Sequence, residues 1–110
     1  MEFPVNLTNL RSMTDGDVEL EKELFVEFFS SFEKGISTIK NSFDTNGISA
    51  WRSEVHSLKG IALNLGAEKL GEICKNAQDE SNAGAEEKQK IFENIEVEYA
   101  RVKKYLKENI

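Results

Sequence analysis

The sequence contains very little cysteine, proline or histidine, with one residue of each: Cys74, Pro4 and His56. A single cysteine cannot form a disulfide within the chain, which excludes a disulfide-stabilised secreted scaffold. The only proline lies near the start, so little interrupts long helices. No apolar run approaches about 18 residues and no signal peptide is recognisable, so we expect a cytoplasmic protein without a membrane span.

Positive charge is also scarce, because 14 Lys and Arg residues face 20 Asp and Glu residues, for a formal net charge of -6. An acidic chain offers no counterion release to phosphate backbones, which disfavours binding to nucleic acid or to anionic membranes. The chain has 110 residues, of which 39% are hydrophobic and 31% charged, and this predicts one globular domain over residues 1–110. Solvated charged faces and scarce proline favour an all-α fold.

Apolar residues at steps of three and four predict the first two helices. The segment NLTNLRSM predicts a short helix that ends near Met13, with Thr14 and Asp15 as candidate N-caps of the next helix. From Val18 a long amphipathic helix follows, and its phenylalanines are interpreted as core, because such a stripe is rarely a ligand site. The stripe consists of Leu24, Phe25, Phe28, Phe29, Phe32, Ile36, Ile39 and Phe43.

The turn residues DTNG at 44–47 precede a third helix, which begins around Ile48 and ends at Gly66. Its core face comprises Trp51, Val55, Leu58, Ala62 and Leu65, with Ile61 at the border. A shorter fourth helix contains Leu70, Ile73, Cys74 and Ala77. A last helix runs from about Glu86 to Lys107, with Ile91, Ile95, Val102 and Leu106 inward. This order predicts an antiparallel up-and-down four-helix bundle with a short extra N-terminal helix.

His56 lies on the outward side of the third helix, roughly 150° from the centre of its core face. A lone surface histidine most often has no role. Gly60, however, lies one turn later on the same side, although a glycine inside a helix costs roughly 1 kcal/mol relative to alanine. Lys59 brings an ammonium group that suits a phosphate-like anion, and an imidazole is nucleophilic near neutral pH. Together these residues predict an exposed, reversible phosphoryl acceptor.

The segment HSLKG at residues 56–60, followed by LGAEKLGEIC, resembles the signature of the histidine-containing phosphotransfer (HPt) domain. GDVELEKELFVEFFSSFEKGI and DTNGISAWRSEVHSLKG also resemble this family's acidic-led long helix and its tryptophan-bearing approach to the histidine. The similarity therefore covers most of the chain. Ile61 and Ala62 depart from the small or hydroxylated residues that often follow the glycine, and both are expected to turn toward the core.

The resemblance implies a phosphocarrier in which His56 accepts a phosphoryl group from a receiver-domain aspartyl phosphate and passes it to another receiver. Lys59 would stabilise the phosphoryl charge, and Gly60 would leave room for the incoming aspartate pocket. Expected partners are receiver domains of response regulators or of hybrid sensor histidine kinases, which would bring the Mg²⁺, so the chain itself would need no cofactor. Candidate docking residues on the same outward side are Arg52, Ser53 and Leu63.

Two other functions remain open: a helical adaptor that binds signalling proteins without phosphorylation, and the substrate domain of a chemotaxis-type kinase. An enzyme is not expected. GAEKLGE lacks the Lys and Ser/Thr of a P-loop, and one histidine with one cysteine does not provide a zinc ligand set. Cys74 is interpreted as a core residue, and the charged outer faces favour a monomer.

Overall fold

The computed structural model describes residues 4–42 and 47–109, with only the backbone of residues 9, 41, 42, 47 and 48. Within these residues the chain forms five helices and no strand. The helices are α1 Leu7–Thr14, α2 Val18–Ser42, α3 Gly47–Leu65, α4 Glu68–Asp79 and α5 Ala85–Glu108. The predicted all-α class is confirmed, whereas the predicted core position of Phe43 and most of the turn at 44–47 lie outside the described residues.

The bundle arises from four helices that pack in a closed ring. Helix α2 packs against α3, α3 against α4, α4 against α5, and α5 returns to α2, while α1 packs against α2. The start of α2 and the end of α5 meet at one end of the bundle. Arg11 of α1 links them, because its side chain hydrogen-bonds both Glu21 near the start of α2 and the backbone of Asn109 just after α5. Helices α2 and α5 therefore run antiparallel, and α1 lies at this end.

The core is formed by the apolar stripes that the sequence predicts. The phenylalanines of α2 are packing residues, since Phe32 stacks on Tyr99 of α5 with ring centroids 4.7 Å apart. No residue of the inner face of α3 is more than 6% exposed. The predicted core residues that are buried include Phe25, Phe28, Phe32, Ile39, Trp51, Val55, Leu58, Ala62, Leu65, Leu70, Cys74, Ala77, Ile91, Ile95, Val102 and Leu106.

The link between α1 and α2 differs from its prediction. Thr14 ends α1, and Asp15 is its C-cap in the left-handed conformation, with φ 53°. Gly16 follows at φ 78°, and an Asp-Gly pair tolerates two such residues in succession. Asp17 then caps α2, because its Oδ1 accepts a hydrogen bond from the Leu20 amide at 3.1 Å. Thr14 and Asp15 are therefore not N-caps.

A polar cluster joins α2 to α5 at the edge of the aromatic core. The Tyr99 hydroxyl donates to Glu33 Oε2 at 2.5 Å, and Lys103 Nζ donates to the same oxygen at 2.8 Å. The hydrogen bond from Lys103, followed by that from Tyr99, lowers the pKa of Glu33 below its ordinary value of 4.5. The pKa of the Tyr99 hydroxyl is raised, mainly by burial and secondly by its hydrogen bond to Glu33. The hydroxyl therefore keeps its proton and remains a donor.

We predict that this cluster contributes stability only while Glu33 is ionised. A carboxyl whose pKa is lowered by folding stabilises the protein above its unfolded pKa, and this contribution disappears as pH falls through the folded pKa. Glu33→Gln should therefore lower the free energy of unfolding near pH 7, measured by urea denaturation. The decrease should be no more than about 1 kcal/mol, because the side chain is half exposed. The two proteins should converge as pH falls through the lowered pKa of Glu33. Glu23→Gln, on the exposed side of the same helix, is the control, and a gap that is independent of pH would contradict the prediction.

Candidate functional site

His56 lies in the middle of α3 on the face that points away from the core. Its side chain is exposed, whereas its neighbour Val55 is fully buried. Arg52 and Ser53, one turn earlier, are also exposed, and Leu63, two turns later, is 48% exposed. The predicted outward face thus exists as one continuous row along α3.

Gln78 of α4 is the residue that contacts the imidazole, and it was not among the predicted site residues. His56 Nδ1 lies 3.3 Å from Gln78 Oε1. The tautomer of His56 decides the donor and acceptor roles in this contact. In the tautomer with the proton on Nδ1, Nδ1 donates to the carboxamide oxygen and Nε2 carries the free lone pair.

Lys59 and Gly60 complete the row beside His56. Lys59 is half-buried, and among the described residues it forms no ion pair, so its ammonium group is available to an incoming anion. A methyl group added at Gly60 would have no described neighbour within 4 Å. The surface one turn after His56 is therefore open.

Leu63 extends the row, but about half of it is used in packing. A Cβ added at Gly71 of α4 would lie 2.8 Å from Leu63 Cγ, so glycine at this position lets the leucine lie flat on α4. The partly exposed surface of Leu63 is thus held at a fixed place beside the row.

Ile61 is partly buried and packs against the core, in agreement with its predicted place at the border of the core face, and Ala62 is fully buried as expected. Ile61 lines an apolar groove of about 300 Å³ between α1, α2 and α3. Ile61 directly follows Gly60 in the sequence, so the groove lies next to the row, on the side opposite α4. Its apolar lining also includes Leu10, Met13, Leu24, Phe28 and Leu65.

A family model for the Hpt domain matches residues 23–107, which is more than half of the chain. The chain belongs to the Hpt domain family. The match includes all of α3 and α4 and therefore His56, Lys59, Gly60 and Gln78. Comparison with curated proteins found no match, and comparison with solved structures found none.

Membership assigns the general role. Hpt domains are phosphocarrier modules that take part in histidine phosphotransfer during two-component signalling, where they interact with receiver domains. In this Hpt domain, His56 is the only histidine of the chain. No described helix is both long enough and apolar enough to cross a membrane.

The thiol of Cys74 lies in the core of this Hpt domain. Cys74 is fully buried, and burial raises the pKa of its thiol to about 12, so the thiol stays protonated near neutral pH. The prediction that Cys74 is a core residue is confirmed. The described residues also contain no group of three or more His, Cys, Asp or Glu side chains that could hold a metal ion.

We predict that Gly60→Ala separates stability from phosphoryl transfer. The added methyl meets no described atom, so it should raise the free energy of unfolding by up to about 1 kcal/mol through helix propensity alone. It should nevertheless slow transfer, because it occupies the surface beside the ring. Urea denaturation and a transfer time course measure the two effects.

Gly35→Ala is the matched control. There the added Cβ would lie 2.5 Å from Leu58 Cδ2 in the core, so this variant should be destabilised rather than stabilised. Unchanged transfer by the Gly60 variant would show that the open surface plays no part in access.

Proposed function

We propose that this Hpt domain is a phosphorelay intermediate that accepts a phosphoryl group on His56 from a receiver-domain aspartyl phosphate and donates it to another receiver. The observation that carries the proposal is the exposed imidazole, whose Nδ1 faces the Gln78 oxygen and whose neighbour Gly60 leaves the adjacent surface open. This is the geometry that a partner's active site needs to reach a nucleophilic nitrogen.

In the proposed step, the Nε2 lone pair of His56 attacks the phosphorus of the aspartyl phosphate. The phosphorus–oxygen bond to the aspartate breaks, and the carboxylate leaves with the bonding electrons. Nδ1 keeps its proton, so the ring gains a positive charge that strengthens the hydrogen bond to Gln78. The reverse sequence of bond changes donates the group to the next receiver. The receiver supplies the Mg²⁺ and the aspartate, and this chain supplies the nucleophile.

Charge stabilisation is assigned to Lys59. Lys59 lies three residues after His56 on the same helix face. Among the described residues, no carboxylate forms an ion pair with its ammonium group. A positioned cation stabilises the charge that spreads over the phosphoryl oxygens during transfer. The Lys59 ammonium group should therefore stabilise the transition state of transfer more than it stabilises the resting protein.

The docking surface is proposed to surround the histidine row on both sides. Arg52 and Ser53 are exposed before His56, and the accessible part of Leu63 follows Gly60. The apolar groove at Ile61 adds a second hydrophobic area on the α2 side. Apolar area beside a reactive residue is typical of an interaction surface, and it would hold a receiver with its aspartate over His56.

We predict that the purified protein gains one phosphoryl group when incubated with a phosphorylated receiver domain and Mg²⁺. Intact mass should increase accordingly, the modification should be labile to acid and stable to alkali, and ³¹P–¹⁵N correlation should place it on Nε2. His56→Gln should abolish the gain while changing the free energy of unfolding by less than about 0.5 kcal/mol, because the residue is exposed.

Two outcomes would contradict the proposal. If several receivers bind but transfer nothing, the protein acts as an adaptor through the same surface. If His56→Gln lowers stability by more than about 2 kcal/mol, the residue is structural rather than an exposed acceptor.

We predict that Lys59→Ala slows transfer or shortens the lifetime of the phosphohistidine, by about tenfold if one charge-assisted contact is lost. Lys90→Ala is the control, because Lys90 is an exposed lysine on α5 and carries the same change in net charge. Equal effects of the two variants would assign the result to overall charge and remove Lys59 from the site.

A further inference from the structure

The position of Gln78 depends on how α4 ends. The last carbonyl groups of a helix have no partner within the helix and need donors from elsewhere. Helix α4 ends at Asp79, and Asn76 O accepts from the Glu80 amide at 3.0 Å. The next two carbonyls, those of Ala77 and Gln78, both receive side-chain donors.

The first of these donors is Trp51 of α3. Its Nε1–H donates to Ala77 O at 2.7 Å in a buried hydrogen bond that links the two helices. The indole is 5% exposed, and the Lys88 ammonium group of α5 lies 5.3 Å from the centre of its ring. Packing on three helices therefore fixes the indole, and the indole fixes the carbonyl that directly precedes Gln78.

The second donor is Ser81, which is fully buried. Its hydroxyl and its backbone amide both donate to the carbonyl oxygen of Gln78 itself. The backbone of Gln78 is thus held on one side by Ser81 and on the other, through Ala77, by Trp51. Its side chain is left to reach across the surface to His56.

We propose that Trp51 and Ser81 are positioning residues that hold the Gln78 carboxamide against His56 Nδ1 and thereby select the nitrogen that receives the phosphoryl group. The inference rests on the proposed phosphotransfer function, although its first consequence concerns the unmodified protein. Neither side chain touches the phosphoryl group. Each acts through the last turn of α4, so the tautomer of a surface histidine depends on a buried indole and a buried hydroxyl.

Loss of the indole N–H should release this arrangement. A buried carbonyl without a donor is unfavourable, so the last turn of α4 would rearrange until Ala77 O finds another partner. A carboxamide–imidazole contact of 3.3 Å tolerates little displacement before it ceases to be a hydrogen bond. The proton would then redistribute between Nδ1 and Nε2.

The first test measures the imidazole tautomer without any phosphotransfer. In ¹⁵N-labelled protein, long-range ¹H–¹⁵N spectra report the ratio of the Nδ1–H to the Nε2–H form of His56. Trp51→Phe should lower this ratio by about threefold to tenfold, the change that corresponds to the loss of one hydrogen bond. Gln78→Ala should produce the same change, and Trp51→Phe should add nothing to it in the double variant.

Tyr99→Phe is the matched control for Trp51→Phe. It also removes one buried aromatic donor, the bond to Glu33, but on the opposite side of the bundle between α2 and α5. It should lower stability without altering the His56 tautomer. An equal tautomer change in both variants would mean that general loosening of the bundle is responsible and would overturn the proposal.

Ser81→Ala provides a second approach if Trp51→Phe fails to fold. It removes the hydroxyl that bonds Gln78 O, and Thr14→Val is its control, because Thr14 is buried and makes the equivalent bond to Arg11 O at the end of α1. Ser81→Ala should shift the tautomer ratio in the same direction as Gln78→Ala, and Thr14→Val should not. An unchanged ratio in Ser81→Ala would overturn the role of Ser81.

The second test follows the phosphorylated protein. The half-life of the phosphohistidine should shorten in Trp51→Phe, and the effects of Trp51→Phe and Gln78→Ala should be non-additive if both act on one contact. Additive effects would show that Trp51 does not act through Gln78. Failure of wild-type protein to accept a phosphoryl group would refute the proposed function alone, since the tautomer measurement is made independently of transfer.

Discussion

The antiparallel pairing of α3 with α4 is the constraint on which the site depends. Only Gly66 and Ala67 join the two helices, and Gly66 adopts φ 95°, a conformation that side chains rarely allow. A Cβ at Gly66 would also lie 3.0 Å from Asn6 O, and the Asn6 amide donates to Gly66 O at 2.9 Å. The turn therefore fixes the hairpin register and ties the N-terminal segment to it.

This register determines which side chains meet on the surface. Leu63 and Gly71 lie four residues on either side of Ala67, and His56 and Gln78 lie eleven residues on either side. The leucine packs flat on the glycine, and the imidazole meets the carboxamide. Both pairs follow from one turn, because residues at equal distances from the turn of an antiparallel helical hairpin lie at the same height, and those on facing sides of the two helices meet. The chemistry of His56 is thus a consequence of how α3 and α4 are joined.

Sequence periodicity predicted the side of α3 on which His56 lies, because burying Trp51, Val55 and Leu58 leaves only one outward direction. Periodicity does not identify a neighbour on another helix, so Gln78 was missed, although the symmetry of the hairpin about Ala67 contains that signal. The N-cap predictions were wrong for a different reason. Thr14 and Asp15 have suitable side chains for an N-cap, but the left-handed backbone at Asp15 and Gly16 separates them from α2, so Asp17 is the N-cap. Ile61 was ambiguous because α1, α2 and α3 together form its groove.

The local distribution of charge reconciles an acidic protein with a phosphoryl site. The formal net charge is -6, yet the exposed row around His56 contains the cations Arg52 and Lys59. The first turns of α2 and α5 contain the carboxylates Glu19, Glu21, Glu86 and Glu87. Exposed charges beyond about 10 Å are largely screened at physiological salt, so the charges close to His56 affect this site more than the net charge of the chain does.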